Sequence, residues 1–172
     1  MTAADASWGA AGEVLYVQRL ADGKSELRAL DANGTTRTVQ PGAEDASLSP
    51  DGAWLAYVSA QGSTGPPDVF VRAYVGTAEV RVSTGGGLRP TWGPGGRELY
   101  FITRRGTAQR VALSFAGGAI TASTPDALRV DLPSLDLVAA HPDGRVLLHS
   151  IVQPVDYLSL IRDWQALARA GR

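Results

Sequence analysis

Ala46-Ser47-Leu48-Ser49-Pro50-Asp51-Gly52-Ala53-Trp54-Leu55-Ala56-Tyr57-Val58 holds two apolar stretches joined by a turn. Pro50 presets φ for the first corner of a type I turn, Asp51 can bond the local backbone, and Gly52 accepts the left-handed conformation that returns the chain into a second strand. The stretch predicts a tight β-hairpin. Its second strand, Trp54 to Val58, is almost continuously apolar, which predicts burial on both faces. A lone hairpin cannot supply that burial.

The same pattern recurs. With the turn glycine as origin, copies centre on Gly12, Gly52, Gly96 and Gly144, at spacings of 40, 44 and 48 residues. Four residues before each glycine stand Trp8, Leu48, Trp92 and Ala140; three residues after stand Leu15, Leu55, Leu99 and Leu147. Each copy continues into further short strand candidates: Ser25 to Leu30 and Thr35 to Val39, then Asp68 to Tyr74 and Ala78 to Ser83, then Gln109 to Phe115 and a diffuse one within Ala119 to Val130. Gly and polar clusters punctuate them.

Four strands per unit of this length is the period of a β-propeller blade. The expected fold is all-β, about four propeller blades forming one domain or fragment over 1–172, with blades near 5–43, 44–86, 87–131 and 132–172. The last unit runs through Arg145 to Ser150 and Val155 to Ile161 without a clear outer strand. Asp163 as N-cap with Trp164, Leu167 and Ala168 predicts a short C-terminal helix.

Composition bounds the function. A formal net charge of −1 gives no field for nucleic acid or an anionic membrane. No apolar run approaches a membrane span, and the first residues lack a signal-peptide pattern, so no membrane insertion by this chain is expected. The absence of cysteine removes disulfides and thiolate metal sites and leaves the compartment open. One lysine, Lys24, among the 16 basic residues suggests a GC-rich bacterial genome.

Ser49-Pro50-Asp51-Gly52 with Trp54 to Val58, and Arg89 to Gly96 followed by Glu98-Leu99-Tyr100-Phe101, resemble the repeats of TolB-like (WD-like) β-propellers. The tail from Leu158 to Leu167 is similar to propeller regions C-terminal to some bacterial serine/threonine protein kinase domains. The resemblance implies a bacterial, kinase-associated interaction or sensor module, extracytoplasmic where the parent kinase is membrane-anchored. Such propellers have more blades than the four read here. The chain therefore reads first as an open arc of a larger propeller, second as half of a dimer and third as a small closed ring. An open arc has exposed blade edges suited to self-association.

Catalytic motifs are largely absent, and no enzyme activity, cofactor or metal is expected. Gly23-Lys24-Ser25 ends like a phosphate loop, but Gln18 stands where the leading glycine belongs, so a hairpin turn is the better reading. Gly85-Gly86-Gly87 reads as a blade connection. There is no Gly-x-Ser-x-Gly elbow; His141 takes the Ser49 position of a turn and His149 an apolar strand slot, and both read as structural.

Candidate binding residues come from repeat position. Asp5, Asp45 and Arg89, together with Asp136 beside Leu137, fall where inner strands would enter a central channel. Charge at a channel mouth suits a cation, a polar ligand or a peptide end. The plainer alternative is an Asp45–Arg89 pair between blades on a solvated rim. The connections at that end, Gln61 to Pro67 and Arg104-Arg105, form a second candidate surface. The expected partner is a protein or peptide. The second functional reading is the accessory, substrate-gating propeller of a prolyl-oligopeptidase-like hydrolase.

Overall fold

The computed structural model describes residues 3–9, 12–62, 64–128, 135–140, 146–152 and 155–161, with side chains for 9, 12–62 and 64–128. Four antiparallel meanders follow one another along the chain. The first is β1 (Ala3–Trp8), β2 (Val14–Arg19), β3 (Ser25–Leu30) and β4 (Thr36–Pro41). The second is β5 (Ala43–Leu48), β6 (Trp54–Ser59), β7 (Asp68–Ala73) and β8 (Glu79–Arg81). The third is β9 (Leu88–Trp92), β10 (Glu98–Ile102), β11 (Ala108–Ala116) and β12 (Ala119–Ala122), with β13 (Asp126–Ala127) also on β11. The fourth contains β14 (Leu135–Ala140), β15 (Val146–Val152) and β16 (Val155–Ile161). The helix expected over Asp163 to Ala168 lies outside the described residues.

Successive sheets stack face to face, and their first strands neighbour one another in the order β1, β5, β9, β14. That is the arrangement of propeller blades around an axis, and the described fold is all-β. Two apolar layers join the blades. Leu15, Val17, Leu27 and Ala29 of the first sheet meet Leu55, Tyr57 and Phe70 of the second. Ala56, Val58, Val69 and Val71 on the opposite face of the second sheet meet Trp92, Leu99, Phe101, Val111 and Leu113 of the third. The double burial expected of Trp54 to Val58 follows: Leu55 through Val58 are all 0% exposed because alternate residues enter different layers. Full burial of a leucine side chain stabilises by about 1.5–3 kcal/mol.

The turn chemistry explains how β5 returns as β6. Gly52 has φ of 71° and donates its N–H to the Ser49 carbonyl at 2.8 Å. The Ser49 hydroxyl donates to Asp51 Oδ1 at 2.5 Å and accepts the Trp54 N–H at 2.9 Å. That hydroxyl, with the Ala53 N–H, holds the Asp51 carboxyl below the usual carboxylate range. The third sheet makes the same turn without an aspartate: Gly93 N–H bonds the Glu98 carbonyl at 2.8 Å and Gly96 N–H the Gly93 carbonyl at 2.9 Å.

The four leucines aligned by their turn glycines do not share a structural register. Leu48 pairs with Leu55 and Trp92 with Leu99, but Trp8 pairs with Val14, leaving Leu15 opposite Ser7. The first turn closes one residue earlier, from Gly9 N–H to the Glu13 carbonyl, where the second closes from Ser49 to Trp54. A one-residue difference reverses the face of every following side chain. Leu15 therefore faces the second sheet, forward along the chain, while Leu55 and Leu99 face back toward the sheet before them. In the fourth sheet Ala140 likewise pairs with Val146 and Ala139 with Leu147.

Candidate recognition surface at the crossover end

The connections between β6 and β7, between β10 and β11, and between consecutive sheets all lie at the end opposite the Pro-Asp-Gly turn, hereafter the crossover end. Every sheet breaks its inner pairing there. The register shifts between Ala4 and Ala6 in β1, between Ala43 and Ala46 in β5, and between Leu137 and Ala139 in β14. In β9 pairing moves from Thr91–Tyr100 to Leu88–Ile102, spanning Arg89 and Pro90. Bulges bend a strand and re-aim its side chains.

Asp5 and Asp45 fall within these irregular segments, and so does Arg89. Asp136 lies just outside, opposite His149 in regular pairing. Asp45 and Arg89 are brought together: the Arg89 backbone N–H donates to Asp45 Oδ2 at 3.2 Å. Arg89 has φ of 54°, the one positive value among described non-glycine residues. A non-glycine residue in that region carries about 1–3 kcal/mol of strain and persists where surrounding structure holds it.

Arg104 and Arg105 occupy the tip of the β10–β11 hairpin, closed by Thr103 N–H to the Thr107 carbonyl at 2.9 Å. The sheet crossover reaches them. A Cβ placed on Gly86 would lie 3.1 Å from Pro66 and 3.2 Å from the Arg104 Cγ, so the Gln61 to Pro67 loop, the glycine-rich crossover and the arginine hairpin converge. Next in the chain, a Cβ on Gly87 would meet Val69 Cγ2 at 2.7 Å. Close approach rather than looseness explains this glycine. Gly23-Lys24-Ser25 is a hairpin turn, with the Leu20 N–H on the Lys24 carbonyl at 2.7 Å.

The residue that organises this end was missed in the sequence. Asp68, 0% exposed, opens β7. Its Oδ1 accepts the Ser83 hydroxyl at 2.8 Å and the Gly86 N–H at 2.9 Å, while Oδ2 pairs with Arg81. The Ser83 hydroxyl also accepts the Val69 N–H at 2.9 Å. A buried carboxylate is tolerated when its lone pairs are filled in this way. The available signal was Asp68 directly after Pro66-Pro67, a pattern that also reads as an ordinary strand start.

A second polar cluster pins the first two sheets at the turn end. Glu13 accepts from the Tyr74 hydroxyl and, at 2.9 Å, from Arg37, whose guanidinium lies 5.5 Å from the Tyr74 ring centre. Burial, then the bond to Glu13, pushes the Tyr74 hydroxyl up to about 12. Tyr57 and Tyr100 are raised as well, first by burial and then through Glu79 and Glu98. Among the described residues no group of three His, Cys, Asp or Glu is placed to hold a metal ion. His141 lies outside the described residues, and His149 sits within β15.

No protein-family model matches the chain, and no curated protein does. Solved structures match its fold. TolB from Acinetobacter baumannii superposes with TM-score 0.69 at 16% identity, covering 92% of this chain and 40% of that one. The β-propeller domain of the trilobed protease from Pyrococcus furiosus gives 0.62 at 15%, covering 92% and 53%. A gluconolactonase from Xanthomonas campestris gives 0.58 at 14%, covering 86% and 56%. This chain thus spans 40% to 56% of the length of these three structures. At such identity the likeness shows the propeller fold and nothing more.

Proposed function

We propose that this chain is a non-catalytic propeller module that recognises a protein or peptide segment at its crossover end, with Asp45 and Arg89 at the centre of the site and the loops around Arg104 and Arg105 at its rim. The observation that carries the reading is the irregular inner strand. Each sheet departs from regular pairing six to eight residues before its turn glycine, and at two of these departures a strained Arg89 backbone is tied to Asp45 on the neighbouring strand. Such a pre-set geometry is suited to polar recognition, because the cost of ordering has been met before a ligand arrives. In backbone register, Asp5 and Asp136 stand at or next to the corresponding positions of the first and fourth sheets.

The test is a calorimetric titration of the chain with short polar peptides, and with calcium as a comparison. Peptide heat that disappears in Asp45→Ala supports the reading. Absence of heat, or heat unchanged in that variant, removes it.

A second reading draws on the likeness to the protease propeller: a propeller that restricts access to a hydrolase active site elsewhere in the parent protein. The kinase parent implied by Leu158 to Leu167 is the alternative to it. The surrounding reading frame separates them, since a kinase domain upstream supports the first reading and a hydrolase domain downstream the second.

A further inference from the structure

From the crossover end we infer that Arg104 and Arg105 form a carboxylate-recognition tip, and that the segment bound there is an acidic peptide. This rests on the recognition reading above and specifies its partner. Arg28, Arg37, Arg72, Arg81 and Arg110 are all hydrogen-bonded to side chains of their own or neighbouring sheets. Arg104 and Arg105 are exposed, and among the described residues neither guanidinium has a hydrogen-bond or ion-pair partner.

The turn itself does not call for them. The hairpin between β2 and β3 closes with the same bonds, Leu20 N–H to the Lys24 carbonyl at 2.7 Å and Gly23 N–H to the Leu20 carbonyl at 3.1 Å. At its tip stand Ala21 and Asp22, and Asp22 Oδ1 accepts the Lys24 N–H at 3.0 Å, a local bond that stabilises the turn. Arg105 holds the place of Asp22, and the corresponding Thr107 N–H is accepted instead by the Thr103 hydroxyl at 3.1 Å, so the turn keeps its local bond without help from either arginine. The arginine pair is therefore not explained by turn stability.

Positioning is already supplied. The Arg104 stem lies against the bare Cα of Gly86 beside Pro66, and Asp68 fixes Gly86 by accepting its N–H. A long side chain whose stem is packed keeps its charged head at the surface with less freedom left to lose. In the neighbouring loop, Gln61 and Thr64 are exposed and uncharged, an amide and a hydroxyl suited to a peptide backbone. Two forked guanidinium groups on a rigid tip match carboxylates. A polyphosphate chain carries denser charge than a peptide whose carboxylates are spaced by uncharged residues, so the acidic groups of this chain, Glu44 and Asp45 among them, oppose it more strongly.

The experiment uses the whole chain and a fluorescein-labelled peptide alternating aspartate and glutamate with glycine, read by anisotropy at low and physiological salt. Saturable, salt-weakened binding is expected, reduced about tenfold in the double variant Arg104→Gln/Arg105→Gln. It should be unchanged in Arg97→Gln, which removes an exposed arginine at the turn end. No saturable binding, equal binding by the double variant, or tighter binding of a single-stranded oligonucleotide overturns the inference. Binding that survives the double variant but is lost in Asp45→Ala overturns it while leaving the channel-mouth reading intact.

Discussion

The first and second sheets share a strand plan and differ in what covers them. On the backward face of the second sheet lie Leu55, Tyr57, Ser59, Asp68 and Phe70, all buried, with Leu55, Tyr57 and Phe70 packed against the first sheet. Their structural counterparts in the first sheet are Val14, Tyr16, Gln18, Glu26 and Arg28, and every one is half-buried. Among the described residues no sheet stacks on that face. Polar contacts cross it instead: Arg28 donates to Gln18 at 3.1 Å and to Thr36 at 2.8 Å and pairs with Glu26 at 3.5 Å. Burial in a blade is set by the neighbour, and side-chain polarity follows it. The same strand position can then hold a phenylalanine in one sheet and an arginine in the next.

The sharpest way to break this comparison is to remove the acid from each sheet. Asp68→Ala should cost about 3–5 kcal/mol in urea unfolding, because it leaves Arg81, Ser83 and the Gly86 N–H without their buried acceptor. Glu26→Ala, whose nearest ion-pair contact is 3.5 Å, should cost less than about 1 kcal/mol. Similar losses from both would mean that the two faces are equally covered.

Apolar deletions come next. Leu55→Ala should cost about 2–5 kcal/mol, since a fully buried side chain leaves a cavity between two sheets. Its counterpart Val14→Ala should cost about 1 kcal/mol. If Val14 proved as costly as Leu55, the first sheet would have a covering element in solution, and the face comparison would need redrawing.

The smallest effect is a pH dependence at the junction of the two sheets. Tyr74 keeps its proton up to about 12 when folded, against its ordinary 10.0. A raised folded value means that this contribution is complete below about pH 10 and is lost as pH climbs through about 12. Stability should fall across that window, and Tyr74→Phe should flatten the fall. An unchanged slope in Tyr74→Phe would show that the Glu13 cluster does not link the sheets.

Much of the fold was legible because turns and apolar strands are local. Ser49 to Gly52 announced its hairpin, β3 and β16 run over the expected Ser25–Leu30 and Val155–Ile161, and the repeat period indicated blades. The candidate site was legible only as a neighbourhood. Asp45 and Arg89 do meet, but through a backbone N–H that no side-chain pattern announces. Asp68 was hidden because its partners Ser83 and Gly86 are distant in sequence and its burial depends on how the crossover folds back.

The sequence by itself thus determined the four-strand plan of the first two sheets, the turn chemistry and the polarity of the ends, all of which depend on residues within a few positions of one another, while the third sheet carries a fifth strand that the sequence reading did not separate. Only the tertiary structure decided which way the leucines point. Between turn glycine and strand, the first repeat is one residue shorter in its pairing than the second. Alternating side chains convert that single step into opposite faces. Leu15 and Leu55, set side by side in a repeat alignment, therefore meet across one interface from its two sides.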